Sequence, residues 1–147
     1  MTSATAQVSR TIAASPDGVW SVLTDAGRMG RLFMGSTVDS DFHVGSPILF
    51  HGEFKGRRFE DKGQILAADP GRRLSFSHYS GLSGEPDAPE SYHVVTFELE
   101  PQGEATEVVL TQSNLTGGVR PSDVEHKAQY EQTWRMVLDA LSEAVAH

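Results

Sequence analysis

Cysteine is absent from this chain of 147 residues. That removes a disulfide framework, a thiolate zinc site, an iron–sulfur cluster and a cysteine nucleophile in one step. Basic residues are scarce. Lysine and arginine total 12 against 20 acids, a formal net charge of −8, which argues against nucleic acid or an anionic membrane as the main partner. Long apolar runs are missing as well: no stretch approaches the roughly 18 residues of a membrane span. Met1 to Arg10 has neither the basic start nor the apolar middle of a secretory signal, so the cytoplasm is the expected location. No internal repeat and no linker divides the chain. What is there, 38% hydrophobic and 22% charged residues, is the make-up of one globular domain spanning residues 1–147.

The order of elements is legible from local signals. Residues 7–14 alternate weakly and predict a first strand. Ser15-Pro16-Asp17-Gly18 then supplies an N-cap, a first-turn proline and a first-turn acid, predicting a short helix that buries Val19, Trp20, Val22 and Leu23. A second short helix is expected over Arg28 to Met34, with Met29, Leu32 and Phe33 apolar. From Ser36 to Ser113 the pattern is strand and turn. Ile48, Phe50 and Phe54 share a parity, as do Leu74, Phe76 and His78, and then His93, Val95, Phe97 and Leu99. Asp69-Pro70-Gly71-Arg72 marks one turn, Gln102-Gly103 another, and residues 80–91 form a long loop rich in Gly, Pro and Ser. Ser122-Asp123-Val124-Glu125 has the form of a capping box. It predicts a final helix of about 24 residues, or roughly 36 Å, ending near Val145. Its stripe of Tyr130, Trp134, Val137, Leu138, Leu141 and Val145 needs an apolar partner, and the inner face of the sheet is the only candidate.

Five phrases in this order carry a resemblance. They are Ala14-Ser15-Pro16-Asp17-Gly18-Val19-Trp20 running to Leu23-Thr24-Asp25, Asp69-Pro70-Gly71-Arg72-Arg73-Leu74, Val95-Thr96-Phe97-Glu98-Leu99-Glu100-Pro101, Val108-Val109-Leu110-Thr111-Gln112-Ser113, and Trp134-Arg135-Met136-Val137-Leu138-Asp139-Ala140-Leu141. Together they make nearly the whole chain resemble the START-like (SRPBCC) superfamily, in the branch named for the heat-shock protein 90 ATPase activator homologues. One departure is visible: the second short helix reads Leu32-Phe33 where a Trp-Phe pair is usual, which alters packing at one end of the cavity. The resemblance implies an α+β helix-grip fold, also called Bet v-like, in which a curved antiparallel sheet wraps a long C-terminal helix and leaves a cavity. It implies an apolar or amphiphilic small-molecule ligand. Two alternatives come with it: a chaperone-associated, ATPase-activating interaction module, and a polyketide cyclase- or hydrolase-like enzyme. In the family the chaperone activity accompanies an additional N-terminal domain for which this chain has no length, so a chaperone partner is not favoured.

The candidate site follows from strand register. If Gln102-Gly103 closes a two-residue hairpin, Pro101 pairs with Glu104 and His93 faces Gln112. If Pro70-Gly71 closes the preceding hairpin, Gly63 lies beside His78. Placing His78 opposite His93 keeps every inward parity aligned. Gly63, His78, His93 and Gln112 then make one polar rung, with neighbours about 5 Å apart. Below it Ile65, Phe76, Val95, Leu110 and Phe97 are apolar, and Tyr130, Trp134 and Leu138 face the same space from the helix. An apolar hollow with a few polar groups at one level suits an amphiphilic ligand. The same histidines could instead bond one another, a loop carbonyl or water and simply close the cavity mouth, and the helix stripe could be core packing alone.

Other chemistries lack parts. Both histidines could ligate zinc, but Asp61 lies two residues off the rung and Gln112 is a poor ligand, so no metal is expected, and no cofactor. Ser77 and Ser113 have no histidine–carboxylate relay at a useful spacing, and no catalytic residue is assigned; His78 and His93 are the only candidates for general acid–base work in the enzyme alternative. Glu60-Asp61 and Glu85-Asp87 read as solvated turn and edge charges. Glycine-rich residues 80–84 do not join a strand to a helix and cradle no phosphate. His126, in the first turn of the last helix, is expected at the surface. A homodimer is a common state for a domain of this size.

Overall fold

A computed structural model describes residues 4–33 and 35–146. Strand β1 (Ala4–Ile12) is followed by helices α1 (Pro16–Leu23) and α2 (Ala26–Leu32). Six strands come next: β2 (Thr37–Asp39), β3 (Pro47–Phe54), β4 (Arg57–Asp69), β5 (Arg73–His78), β6 (His93–Gln102) and β7 (Ala105–Asn114). Helix α3 (Pro121–Val145) closes the chain. The strands form one antiparallel sheet in the order β1-β7-β6-β5-β4-β3-β2. The sheet curves, and α3 lies against its concave side: the helix-grip architecture.

The short helices arise where the local chemistry predicts them. Ser15 caps α1 by accepting the Gly18 N–H at 3.1 Å, and Val19, Val22 and Leu23 are buried while Trp20 is half-buried. Helix α2 begins two residues earlier than expected, because the Asp25 carboxylate accepts the Arg28 N–H and serves as its cap. Met34, its expected end, lies outside the described residues, as does the side chain of Phe54. Helix α3 starts at Pro121 rather than after Ser122. The carboxylate of Asp123, not the expected Ser122–Glu125 pair, accepts the Arg120 N–H at 2.8 Å and satisfies an end group that the helix itself cannot.

Register decides what faces the interior. Across β5 and β6, His78 lies opposite His93, as the parities require. Between β4 and β5 the turn takes three residues, 70–72, which would shift the pairing by one. A bulge between Ile65 and Ala67 shifts it back, and the pairs Ile65–Phe76 and Lys62–Tyr79 leave Gly63 beside His78. A Cβ on Gly63 would stand 1.6 Å from the Ser77 carbonyl oxygen, so glycine is what permits this close approach. The β6–β7 pairing differs from expectation by two. Gln102 pairs with Ala105, so Gly103-Glu104 is the turn, and His93 faces Asn114 while Gln112 faces Val95. The cause is Gly103, whose φ of +63° belongs at the first central position of a tight hairpin turn, where glycine adopts it without strain.

The interior falls into two parts. Phe76, Val95, Phe97, Leu110 and Leu138 are between 0% and 1% exposed and interlock with Ile12, Leu23, Met29 and Leu141 as the packed core. Nearer the other end of the sheet, facing side chains do not meet, and space remains between the sheet and α3.

Candidate functional site

That space is a cavity of about 640 Å³. Its walls come from the end of α2 (Leu32, Phe33), from β3 (Phe50, Gly52) and β4 (Phe59, Asp61), from His78, His93 and Gln112 on the next strands, and from Tyr130, Trp134 and Val137 on α3. Of the residues predicted from the sequence, His78, His93, Gln112, Tyr130 and Trp134 line it. Phe76, Val95, Phe97, Leu110 and Leu138 do not: they are packed beneath it and form its foundation rather than its surface.

One wall is aromatic. The Phe33 ring lies 5.2 Å from Phe50 and 6.2 Å from Trp134 between centroids, and Phe50 meets the His78 ring edge-on at 5.7 Å. Phe33 and Phe50 are the main apolar surfaces that the rung argument missed. Parity placed Phe50 inward, but only the pairing of β3 with β4 sets it opposite Asp61 and beside the histidines. Gly52 opposes Phe59, and its missing side chain leaves room for that ring, which a Cβ would meet at 2.7 Å.

The polar groups come as two imidazole–carboxylate pairs. His78 Nε2 is 3.0 Å from Asp61 Oδ2, while Asp61 Oδ1 accepts the Gly81 N–H at 2.9 Å. Asp61 is therefore not the solvated charge expected of it; it is a half-buried wall residue that also fixes the start of the 80–91 loop. Its parity with Gly63 and Phe59 was the available signal. His93 Nε2 is 3.4 Å from Asp123 Oδ1, and Asp123 is fully buried. Its other oxygen accepts from Asn114 Nδ2 and the Arg120 N–H, each at 2.8 Å. Asn114, in the rung position assigned to Gln112, thus ties the end of β7 to the first turn of α3.

Each carboxylate can only accept, so each Nε2 donates and the proton of a neutral ring sits there. Burial is the main influence on His93 and pushes it below the ordinary histidine value of 6.5, against the pull of Asp123; the ring is neutral at pH 7. For Asp123, burial alone would raise the carboxyl. The hydrogen bonds from Asn114, the Arg120 N–H and His93 together outweigh it and hold the group below 3.8.

Gln112, one level down, joins three elements. Its Oε1 accepts the Trp134 indole N–H at 3.0 Å and its Nε2 donates to Thr5 Oγ1 at 2.9 Å. Tyr130 stands edge-on to His93 at 5.7 Å, and burial raises its hydroxyl above the ordinary value of 10.0. His126 is half-buried rather than free at the surface: its ring nitrogen Nδ1 lies 2.9 Å from the Ser122 carbonyl, one turn back. The 80–91 loop above the cavity is pinned by Tyr79, whose hydroxyl donates to the Glu85 carbonyl at 2.6 Å, and by a Glu85–Arg120 ion pair at 3.3 Å. Asp87 is held by Lys62 and by the Tyr92 hydroxyl, so neither Glu85 nor Asp87 is merely solvated. Among the described residues, no group of three or more His, Asp or Glu side chains could hold a metal ion, and no helix is long and apolar enough to cross a membrane.

A curved seven-stranded sheet gripping one long helix over a lined hollow defines the START-like class. Residues 13–146 match the family described as Activator of Hsp90 ATPase homolog 1-like protein, and the chain belongs to that family. Among solved structures, ChR145 from Cytophaga hutchinsonii is similar at 38% identity and a TM-score of 0.75, over 94% of this chain and 90% of that one. DynU16, described as a protein in the dynemicin biosynthetic locus, shares the fold at 21% identity and a TM-score of 0.74, over 96% of this chain and 46% of its own. Ara h 8.0201 shares it at 13% identity and a TM-score of 0.72, over 95% of each chain. No significant match was found among curated protein sequences.

Proposed function

We propose that this protein binds an apolar or amphiphilic small molecule in the cytoplasm, in the hollow between sheet and α3. The ligand's apolar body lies against Phe33, Phe50, Trp134 and Val137, and its polar end reaches His78, His93 and Tyr130. Phe76, Val95, Phe97, Leu110 and Leu138 keep the floor rigid beneath it. The observation that carries this reading is a cavity of about 640 Å³, within the roughly 300–1,000 Å³ of small-molecule sites, combining an aromatic wall with a few converging polar groups.

The test is an NMR titration with naphthalene, which should shift resonances of cavity residues and leave the opposite face of the sheet unmoved. Thr133 is an exposed residue at the cavity wall, and Thr133→Trp should weaken binding about tenfold by occupying the space. Saturating naphthalene with no response at the cavity, and no small molecule carried through purification by native mass spectrometry, would overturn the reading. So would strong stimulation of the chaperone ATPase at low micromolar protein, undiminished by Thr133→Trp.

The two imidazole–carboxylate pairs favour a second reading, a cyclase- or hydrolase-like enzyme. In that case His78 or His93 takes a proton from the substrate through its free ring nitrogen, with Asp61 or Asp123 orienting the ring. Unchanged turnover of a polyketide-like substrate in the His78→Gln, His93→Gln double variant would remove both from the mechanism.

A further inference from the structure

The polar end of the cavity has already committed its N–H groups. The His78 and His93 Nε2 protons are directed at Asp61 and Asp123. The Trp134 indole N–H goes to Gln112, and the Gln112 amide in turn donates to Thr5. The ring nitrogens left over are of the opposite kind. Neither histidine Nδ1 has a hydrogen-bond partner among the described residues, and neither is among the buried polar atoms cut off from contact. Because His78 and His93 are directly opposed across β5 and β6, their Cβ atoms are about 5 Å apart. The cavity therefore holds two neighbouring lone-pair acceptors.

Charge points the same way. The lining includes Glu53, Asp61 and Glu85 against the single cation Arg31, with the buried Asp123 one hydrogen bond behind His93. A ligand carboxylate placed at the histidines would meet two acceptors and a field of like sign.

We propose that the cavity selects ligands whose apolar ring system carries two neighbouring neutral O–H donors, a polyhydroxylated aromatic rather than an aromatic or fatty carboxylate. This rests on the small-molecule reading above and adds to it the polarity of the recognised head. The hydroxyls donate to His78 Nδ1 and His93 Nδ1, and the rings stay oriented by Asp61 and Asp123.

Three probes of one size distinguish the possibilities: naphthalene, 1,3-dihydroxynaphthalene and 2-naphthoate, titrated by calorimetry and NMR at pH 7.5. The diol should bind about tenfold more tightly than naphthalene, the gain of two modest hydrogen bonds, and more tightly still than 2-naphthoate. Acidification adds the second proton at His93 Nδ1 and converts that acceptor into a donor. The groups facing the rings as this happens are Asp61 from β4, Glu85 from the loop, Arg120 at the start of α3, and Asp123 and Tyr130 on α3. Once His93 is protonated, the preference for the diol over 2-naphthoate should shrink or reverse in the unaltered protein. His93→Phe should lower diol affinity toward that of naphthalene; the acid titration tests the same discrimination without a substitution. If naphthalene binds but 2-naphthoate equals or exceeds the diol at pH 7.5, the donor preference is overturned and the ligand cavity stands. If none of the three engages the cavity, both fall.

Discussion

The indole N–H of Trp134 donates to the side-chain oxygen of Gln112 at 3.0 Å, and this bond marks the level at which packed core gives way to cavity. It connects the middle of α3 to β7, and through Thr5 to β1. Gln112→Leu keeps the bulk of the side chain but orphans a buried indole N–H. The expected loss is about 1–3 kcal/mol in urea unfolding. Adding Trp134→Phe should recover part of it, because both halves of the bond are then gone.

Asp123→Asn tests the link between helix start and rung. The amide replaces a charge that accepts from Asn114, Arg120 and His93, and should cost about 1–3 kcal/mol. Asp123 also favours the protonated form of His93. In the variant the His93 ring should therefore titrate at a still lower pH by NMR. An unmoved His93 would mean the 3.4 Å contact carries no coupling.

Stability should fall with acid in two stages. His93 is held below its unfolded value of 6.5, so the unfolded chain binds the proton first. Its contribution is complete above 6.5 and is lost as pH falls toward the folded value. Asp123 is held below 3.8; its contribution is present above that pH and disappears as pH drops through the lower folded value. Denaturant midpoints measured across this range should show the first decline in the unaltered protein and a smaller one in His93→Phe.

Gly63→Ala should destabilise by about 1–3 kcal/mol or more. The added methyl would stand 1.6 Å from the Ser77 carbonyl, a backbone atom that cannot rotate away. The shift must pass to His78, so the His78 ring signal is expected to move even where the fold survives. A neutral effect would show that β4 and β5 can part at this level without loss.

Elements with their own local signal were legible in the sequence: the Ser15 cap, the stripe of α3, the alternation of β5, β6 and β7, and the opposition of His78 and His93. The errors came where one residue sets geometry for many. Gly103 fits the first central position of its turn, and taking it as the second moved the whole of β7 by two and put Gln112 in the place of Asn114. Asp61 was misread as solvated, and the imidazole partner of Asp123 was not foreseen, for a different reason. Charge in a turn-rich segment ordinarily means solvent, and only the three-dimensional approach of β4 to β5, and of α3 to β6, reveals that Asp61 and Asp123 each face an imidazole. Phe33 and Phe50 were recognised as apolar but not as cavity wall, because which buried rings border a void depends on what fails to fill it.

The sheet's inner face is divided by the level of Gln112 and Trp134 into a sealed storey and an open one. Folding draws chiefly on the first; in the proposed reading, recognition draws on the second. In that reading, exposed wall residues such as Thr133 can change at less risk to the scaffold than the packed side chains below, so what the cavity accepts and how the fold stands are set by different residues.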